Sequence, residues 1–320
     1  MKQKFKKTMY FYSLDSRLST KGLGKKIRTS QQNASYLISN IKDKKIIKDY
    51  STIIDPAKLG STTIVVYYRR IDLNPETMKS IISYLKNQDA ITEIEFFEEG
   101  FDFACVFCVT NLSLFNKINR RFIHTFRAKV AISKIYPIVV RHLYPKKYLL
   151  PQRPSSEIVI CGDRETFNLN KDEMKVLEFL FKNTTGTLVE AAEKLSMHPR
   201  SIAKIKQKLE ENKIIRAYIP NWNLKLTELN RKRILLKSEG FSEEEEKKLL
   251  TFAFFHPCIV GLTKYIGDYD VAIDVEGENL VNKDVLTDLR SELPLSDFLI
   301  IRGIENLKNN YINENILKLE

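Results

Sequence analysis

The sequence predicts an α+β protein made of two copies of one larger unit, with the two copies pairing within the chain. Three observations predict it. Ile46-Ile47-Lys48-Asp49-Tyr50 returns as Ile214-Ile215-Arg216-Ala217-Tyr218, and Lys45, Asn74, Phe101-Asp102 and Asn111-Leu112 return as Lys213, Ser242, Tyr269-Asp270 and Asn279-Leu280, all at one offset of 168 residues. Landmarks so widely spaced, with no gap between them, indicate a duplicated unit of domain size rather than a solenoid of short repeats. Helical and strand-like apolar spacings also follow one another in the same order in both copies. Between the copies, Pro145, Pro151 and Pro154 with Ser155-Ser156 interrupt regular structure, so residues 145–169 read as a linker.

In the first copy Phe5, Met9, Tyr10, Phe11 and Leu14 give a helix from Phe5 to Ser16 its core-facing stripe. Ser19-Thr20 caps a short second helix, about Lys21 to Ile27. Thr29-Ser30 starts a third, running to about Lys44, with Ala34, Leu37, Ile38 and Ile41 on its apolar face. Its opposite face carries Gln31, Gln32, Asn33, Ser35, Tyr36, Ser39 and Asn40, polar without net charge. With a strand pair from Ile46 to Leu59, these helices describe a winged helix-turn-helix over residues 1–60.

A β-α-β-β-α-β run follows over 61–144. Its parts are a strand Thr62 to Arg70, a helix Pro75 to Asn87 capped by Asn74, strands Thr92 to Phe97 and Asp102 to Thr110, a helix Leu112 to Phe126, and a strand near Lys134 to Val140. This is a ferredoxin-like module, in which two helices cover one sheet face and the other face is left to meet a partner. In the second copy Met174, Val176, Leu177, Phe179 and Leu180 mark the first helix of a head over 170–229. Leu188 to Leu195 and His198 to Glu211 are the second and third, the latter with Ile202, Ile205 and Leu209 facing the core. A second ferredoxin-like module over 230–305 has strands Arg233 to Lys237, Val260 to Tyr265, Tyr269 to Glu276 and Phe298 to Gly303. Its helices run from Glu243, with Ser242 and Glu245 in capping-box places, and from Leu280 to Leu293. Residues 306–320 read as a tail. The open sheet face of one copy can meet that of the other.

Composition narrows the function classes. The chain has 320 residues, 43% of them hydrophobic and 29% charged, which is ordinary for a globular protein. No stretch approaches the roughly 18 apolar residues of a membrane span, and no signal-peptide run follows the basic start, so a cytoplasmic protein without a membrane partner is expected. Cys105-Val106-Phe107-Cys108 has the spelling of a redox or metal motif, but in a strand a spacing of three sends the two thiols to opposite faces. Residues 1–50 hold eleven Lys and two Arg against three Asp, a net +10 out of the chain's +12. That concentration fits a polyanion partner at the first head, and it also fits a solvated basic surface. The second head, over 170–216, nets only +3 from ten basic and seven acidic residues.

This layout resembles the Lrp/AsnC (feast/famine) transcription regulators. The resemblance is carried by Ser30 to Tyr50 with its end Ile41-Lys42-Asp43-Lys44-Lys45-Ile46-Ile47-Lys48-Asp49-Tyr50, by Ile54-Asp55-Pro56-Ala57-Lys58-Leu59-Gly60, and by Gly100-Phe101-Asp102. The second copy resembles the pattern through Leu209-Glu210-Glu211-Asn212-Lys213-Ile214-Ile215-Arg216-Ala217-Tyr218 and Ile266-Gly267-Asp268-Tyr269-Asp270. There the Asp-Pro-x-x-Leu-Gly element is missing, and Asn223-Leu224-Lys225-Leu226-Thr227-Glu228 stands in its place. Usual members carry one copy per chain and dimerise through their α/β modules, so a tandem chain looks like a dimer tied together covalently.

The resemblance implies a sequence-specific transcription regulator rather than an enzyme, with double-stranded DNA as partner and neither cofactor nor metal. A small-molecule effector such as an amino acid, and a homo-oligomer, are further partners it allows. Gln and Asn can pair with an adenine edge, so Gln31, Gln32 and Asn33, with Ser30, Ser35 and Tyr36 beside them, are candidates for base readout. Lys21, Lys25, Lys26, Arg28, Lys42, Lys44, Lys45 and Lys48 are candidates for phosphates. In the second head Arg200, Ser201, Lys204 and Lys208 share one helix face. The glycine turns match the family's effector position, which makes Gly100, Asp102, Gly267, Asp268 and Asp270 candidates there. The alternative for each is structural: solvated lysines on a retained fold, and tight turns held by glycine and aspartate.

Enzymatic motifs are absent from the sequence: no P-loop, no G-x-S-x-G elbow and no H-E-x-x-H. One enzymatic relative shares the layout, the siroheme decarboxylases, which do not act on DNA. On that alternative His124 or His142 lines a large tetrapyrrole cleft together with arginines such as Arg120, Arg121 or Arg141. An effector sensor without DNA binding is the other alternative.

Overall fold

Capping side chains set where the helices begin. The computed structural model describes residues 3–150, 156–162, 165–227, 229–278 and 285–318. In the first copy α1 (Gln3–Leu14), α2 (Thr20–Ile27) and α3 (Gln31–Asp43) lead into β1 (Ile47–Ile54). Ser19 accepts from Gly22 N and Ser30 from Asn33 N, each satisfying an amide that the first helical turn leaves without a partner. An α/β unit follows: β2 (Thr62–Arg70), α4 (Pro75–Lys86), β3 (Ile91–Phe96), β4 (Phe103–Val109), α5 (Leu112–Thr125) and β5 (Val130–Leu143). The three-residue β6 (Ile158–Ile160) lies within the expected linker and pairs with the end of β5.

The second copy repeats the order. Its head is α6 (Lys171–Lys182), α7 (Leu188–Leu195), α8 (Pro199–Glu211) and β7 (Ile215–Trp222), and its α/β unit is β8 (Asn230–Lys237), α9 (Glu243–Phe255), β9 (Ile259–Tyr265), β10 (Val271–Gly277), α10 (Val285–Glu292) and β11 (Asp297–Arg302). β12 (Glu305–Asn309) and the one-turn α11 (Glu314–Leu317) end it. The backbone itself repeats at the same offset. Arg28 and Ser196 take left-handed φ of 55° and 52°, and Lys45 and Lys213 take 54° and 57°. The capping box expected at Ser242 and Glu245 is formed. The landmark Asn279-Leu280 with its helix start, and Pro151, Pro154, Ser155 and Glu228, lie outside the described residues.

β1 and β7 form a separate two-stranded sheet, and the other ten strands form one antiparallel sheet, a path of nine ordered β11-β8-β10-β9-β5-β2-β4-β3-β12 with β6 attached to β5. Within it each α/β unit buries one face under its own helices. Ile64, Val66, Tyr68, Phe103 and Phe107 pack with Ile81, Leu85 and Phe122 in the first, and Ile234, Leu236 and Ile273 with Leu249, Ala253 and Leu289 in the second. The opposite faces meet each other. Val65, Tyr67, Ala104 and Val106 pack there with Leu235, Tyr265, Ala272 and Ile301.

The last strand of each unit is shared between the copies. β5 pairs with β2 over its first half and with β9 of the other copy over its second. In mirror fashion β11 pairs with β8, and the chain then turns at Gly303 (φ 65°) so that β12 pairs with β3. The left-handed backbone angle favours glycine there, while the neighbour a side chain would meet is the exposed, movable Glu98.

Two expectations are corrected by this exchange. The strand pair from Ile46 to Leu59 is a single strand followed by a 3₁₀ turn, Pro56–Leu59, and the partner of β1 is β7 of the other head. Ile47–Ile54 runs as one unbroken strand, and its sister strand in the other head satisfies its amides. Residues 306–318 are not a tail: Ile312 and Leu317 are buried with Val176, Leu177 and Leu180 in the core of the second head. The apolar pattern there is too short to show as an element alone.

Candidate functional site: a cleft between the two copies

The exchange of strands leaves an opening where the two heads meet the shared sheet. Its walls come from β1, the end of β5, β7 with the turn after it, and β12, and its floor from Arg231 on β8 and Glu276 on β10. Its cavity volume is about 290 Å³. Ligand pockets commonly run to roughly 300–1,000 Å³. The cleft lies at the small end of that range and is open to solvent at its mouth.

Its charged groups fall into two kinds. Lys146 is ion-paired with the buried Glu276, Lys225 with Glu305 at 2.6 Å, and Arg231 with Asp274 at 3.1 Å. Lys48 is different. Its Nζ donates to the carbonyl of Asn306 at 3.1 Å, and among the described residues no carboxylate pairs with it. In the amide orientation that satisfies both neighbours, Asn306 also accepts from Arg231 Nη1 at 3.3 Å and donates to Glu95 Oε1 at 3.2 Å. Arg231 Nε is buried and has no acceptor within the protein.

Behind the floor lies a layer of buried charge between the two sheet faces. Arg233 is held by Glu95 at 2.5 Å and Asp274 at 2.8 Å, and Arg141 by Glu93 at 2.5 Å. Burial alone would raise the Asp274 carboxyl, yet Arg231 and Arg233 beside it hold it well below the usual carboxylate range. The wall also carries Trp222, Tyr144, whose buried hydroxyl has no partner, and Tyr311, which burial, with nearby Glu93, pushes up to about 12.

None of the side chains expected at a tetrapyrrole cleft lines it. His124, Arg120 and Arg121 are exposed on α5, within the helical layer. A bulge in β5 between Ile138 and Val140 resets the alternation of its faces, which turns Arg141 inward onto Glu93. His142 stands just behind the wall, with Nδ1 2.9 Å from Glu157 Oε2, and Glu157 is the wall residue. No local pattern marks Arg231, Lys146 or Asn306, which come together only through the strand exchange. One signal was visible: Asn223, at the cleft wall, is where the second copy departs from the Asp-Pro pattern of the first.

The head residues are spread over two outer surfaces. Lys21, Lys25, Arg28, Ser30, Gln31, Gln32, Ser35, Tyr36 and Lys45 are exposed, while Asn33 is half-buried and donates to Thr29 Oγ1 at 2.7 Å. Of the cations named there, Lys48 alone joins the cleft. In the second head Arg200, Ser201 and Lys204 are exposed, and Lys208 reaches the first helix of its own head at Glu173, 2.5 Å away.

The effector candidates hold turns. Asp102 accepts from Arg70 N at 3.0 Å, and Asp270 from Ser238 N at 2.7 Å, the same bond at the same offset. Gly100 (φ 97°) packs on Ile300 and Ile301, Gly267 on the Tyr136 ring, and Asp268 accepts from Tyr136 Oη at 2.5 Å. Each glycine turn thus seats on the last strand of the other copy. Cys105 and Cys108 do face opposite ways, into different cores, and burial pushes the Cys108 thiol up to about 11.

Among the described residues no group of three or more His, Cys, Asp and Glu could hold a metal ion, and no helix is long and apolar enough to cross a membrane. No protein-family model matches the chain, and no curated protein matches it. Solved structures do. The siroheme decarboxylase NirDL has the same fold with a TM-score of 0.60 at 12% identity, over 98% of this chain and 97% of its own. The same enzyme in complex with an iron-uroporphyrin III analogue gives 0.59 at 12% identity, over 97% and 94%. An AsnC-family transcriptional regulator from Agrobacterium tumefaciens matches 44% of this chain and 94% of its own, with a TM-score of 0.39 at 18% identity.

The full-length likeness corrects the regulator expectation. The arrangement of both copies together is shared with an enzyme, so the reading of a non-enzymatic, DNA-binding transcription regulator with DNA as its partner does not hold. The basic first head misled because net charge reports a surface potential and not what the fold encloses.

Proposed function

We propose that this chain is an enzyme of the siroheme-decarboxylase kind, in which the two heads keep a winged helix-turn-helix form and the α/β units a ferredoxin-like one. Its substrate is an iron tetrapyrrole bearing carboxylate arms, bound in the cleft between the copies. The observation that carries the reading is the likeness to that enzyme over both copies at once.

The cleft's chemistry suits such a substrate. Lys48 supplies positive charge for a carboxylate arm, and Arg231, although paired with Asp274, keeps an Nε–H without an acceptor; charge-assisted bonds of this kind are the strong ones. Trp222 and Tyr144 supply flat apolar surface for a macrocycle. In the reaction the carbon–carbon bond of one arm breaks, carbon dioxide leaves, and the electron pair left on the arm's carbon takes up a proton. Seating that carboxylate against Ile53, Leu143 and Leu224 removes water from it and favours loss of its charge. Tyr311 stays protonated to about pH 12 and stands on the cleft wall as a proton donor.

The test is incubation of the purified chain with siroheme under anaerobic conditions, followed by mass spectrometry of the extracted pigment. Products lighter by one or more carbon dioxide units are expected. Unchanged siroheme, with no shift in its visible bands on mixing, overturns the proposal.

A further inference from the structure

The heads and the first strands of the two copies are related by the offset of 168, so the groups where a head joins its α/β unit have counterparts on the other side of the molecule. Asp55 N donates to Ile214 O at 2.9 Å, and its counterpart Asn223 N donates to Ile46 O at 2.7 Å. The two junctions are therefore built alike, and their side chains can be compared directly.

At the first junction the charge is closed off. The carboxylate of Asp55 is fully buried and holds Arg216 through Nη2 at 2.6 Å and Nε at 3.1 Å, while accepting from Ala57 N at 3.2 Å and Cys161 N at 3.0 Å. The counterpart of Arg216 is Lys48, and the counterpart of Asp55 is Asn223. A neutral amide thus stands where a carboxylate would cancel the lysine. The counterpart of Arg231 is Thr63, and in the pairing of the exchanged strands Asn306, opposite Glu95, corresponds to Arg141, opposite Thr263, whose charge is closed off by Glu93.

We infer that Lys48, Arg231 and Asn306 form a carboxylate-binding subsite, present on one side of the molecule only because Asn223 replaces the aspartate of the first copy. This inference rests on the tetrapyrrole reading above. Lys48 and Arg231 both touch Asn306, from its carbonyl and its side chain, so one arm of the substrate can reach both cations. The buried Arg231 Nε, which has no acceptor in the protein, gains one from that arm. Lys48 and Asn306 are positioning residues in this scheme: they seat the macrocycle and take no part in bond breaking.

The experiment is titration of the full chain with iron(III) uroporphyrin III, read by the shift of its strongest visible band, for the wild type, Lys48→Met, Lys48→Arg and Asn223→Asp. Asn223→Asp is the decisive variant, because it leaves Lys48 in place and only restores the cancelling charge. Lys48→Met and Asn223→Asp should each weaken binding about tenfold, the loss of one charge-assisted contact, with Lys48→Arg near wild type and melting temperatures unchanged. A wild type that shifts the band while both variants bind equally well overturns the subsite and leaves the tetrapyrrole reading standing. A wild type that gives no shift overturns both. A variant that loses binding only together with its melting transition counts against the subsite.

Discussion

At the scale of single residues, environment decides what each charged group does. Lys147 shows it most clearly. It is 2% exposed, its Nζ donates to the carbonyls of Ala253 and Phe254 at 2.8 Å each, and it lies over the Tyr144 ring. It closes the C-terminal end of α9, where carbonyls lack helical partners. Burial brings its amine from the ordinary 10.5 down to about 8. Between those values the unfolded chain binds the extra proton, so stability rises as pH climbs from about 8 toward 10.5, by a few kcal/mol at most. Urea midpoints measured across that range should rise for the wild type relative to Lys147→Met; a constant difference would show that Lys147 does not titrate there. At this scale the sequence was legible where a residue acts within its own strand or turn. The opposed faces of Cys105 and Cys108 and the caps at Ser30 and Ser242 were readable for that reason. The partners of Lys48 and Arg231 were not, because they are more than 40 residues away in the chain.

Among the elements, local spacing carried the reading well. Thr62–Arg70 has the strand bounds expected, and α3, α4, α5 and α9 begin at their capping residues. It failed where an element exists only through a remote partner. β12 has no apolar alternation of its own, and it is a strand because β3 offers it an edge. Truncation after Gly303 should therefore do more than shorten the chain. It strips the edge of β3 and removes Ile312 and Leu317 from the core of the second head, and large buried side chains cost about 2–5 kcal/mol each. A truncated protein that melts within a few degrees of the full chain would show that β12 and α11 are dispensable. The same reasoning explains β1 and β7, each of which would be an unpaired edge in an isolated copy.

For the whole molecule, four connections tie the copies into one body: the β1–β7 ladder, the β5–β9 and β3–β12 pairs, and the packed sheet faces with their buried ion pairs. Two linked but independent domains would unfold in two steps. Here one cooperative transition is expected, with coincident midpoints by circular dichroism and by Trp222 fluorescence, and neither half should be soluble when expressed alone. Two resolved transitions would contradict the shared core.

The sequence by itself determined that there are two copies, the order of their helices and strands, and which faces are apolar, because those depend on residues close together along the chain. The tertiary structure alone decided that the copies trade their last strands and that the trade opens a cleft where the two heads meet the sheet. Electrostatic pairing depends on distance in space, so whether a lysine is cancelled or left to hold a ligand is settled by what the fold brings beside it. One substitution, asparagine at 223 for the aspartate at 55, was visible from the start; its consequence for Lys48 appeared only when the two junctions were seen to coincide.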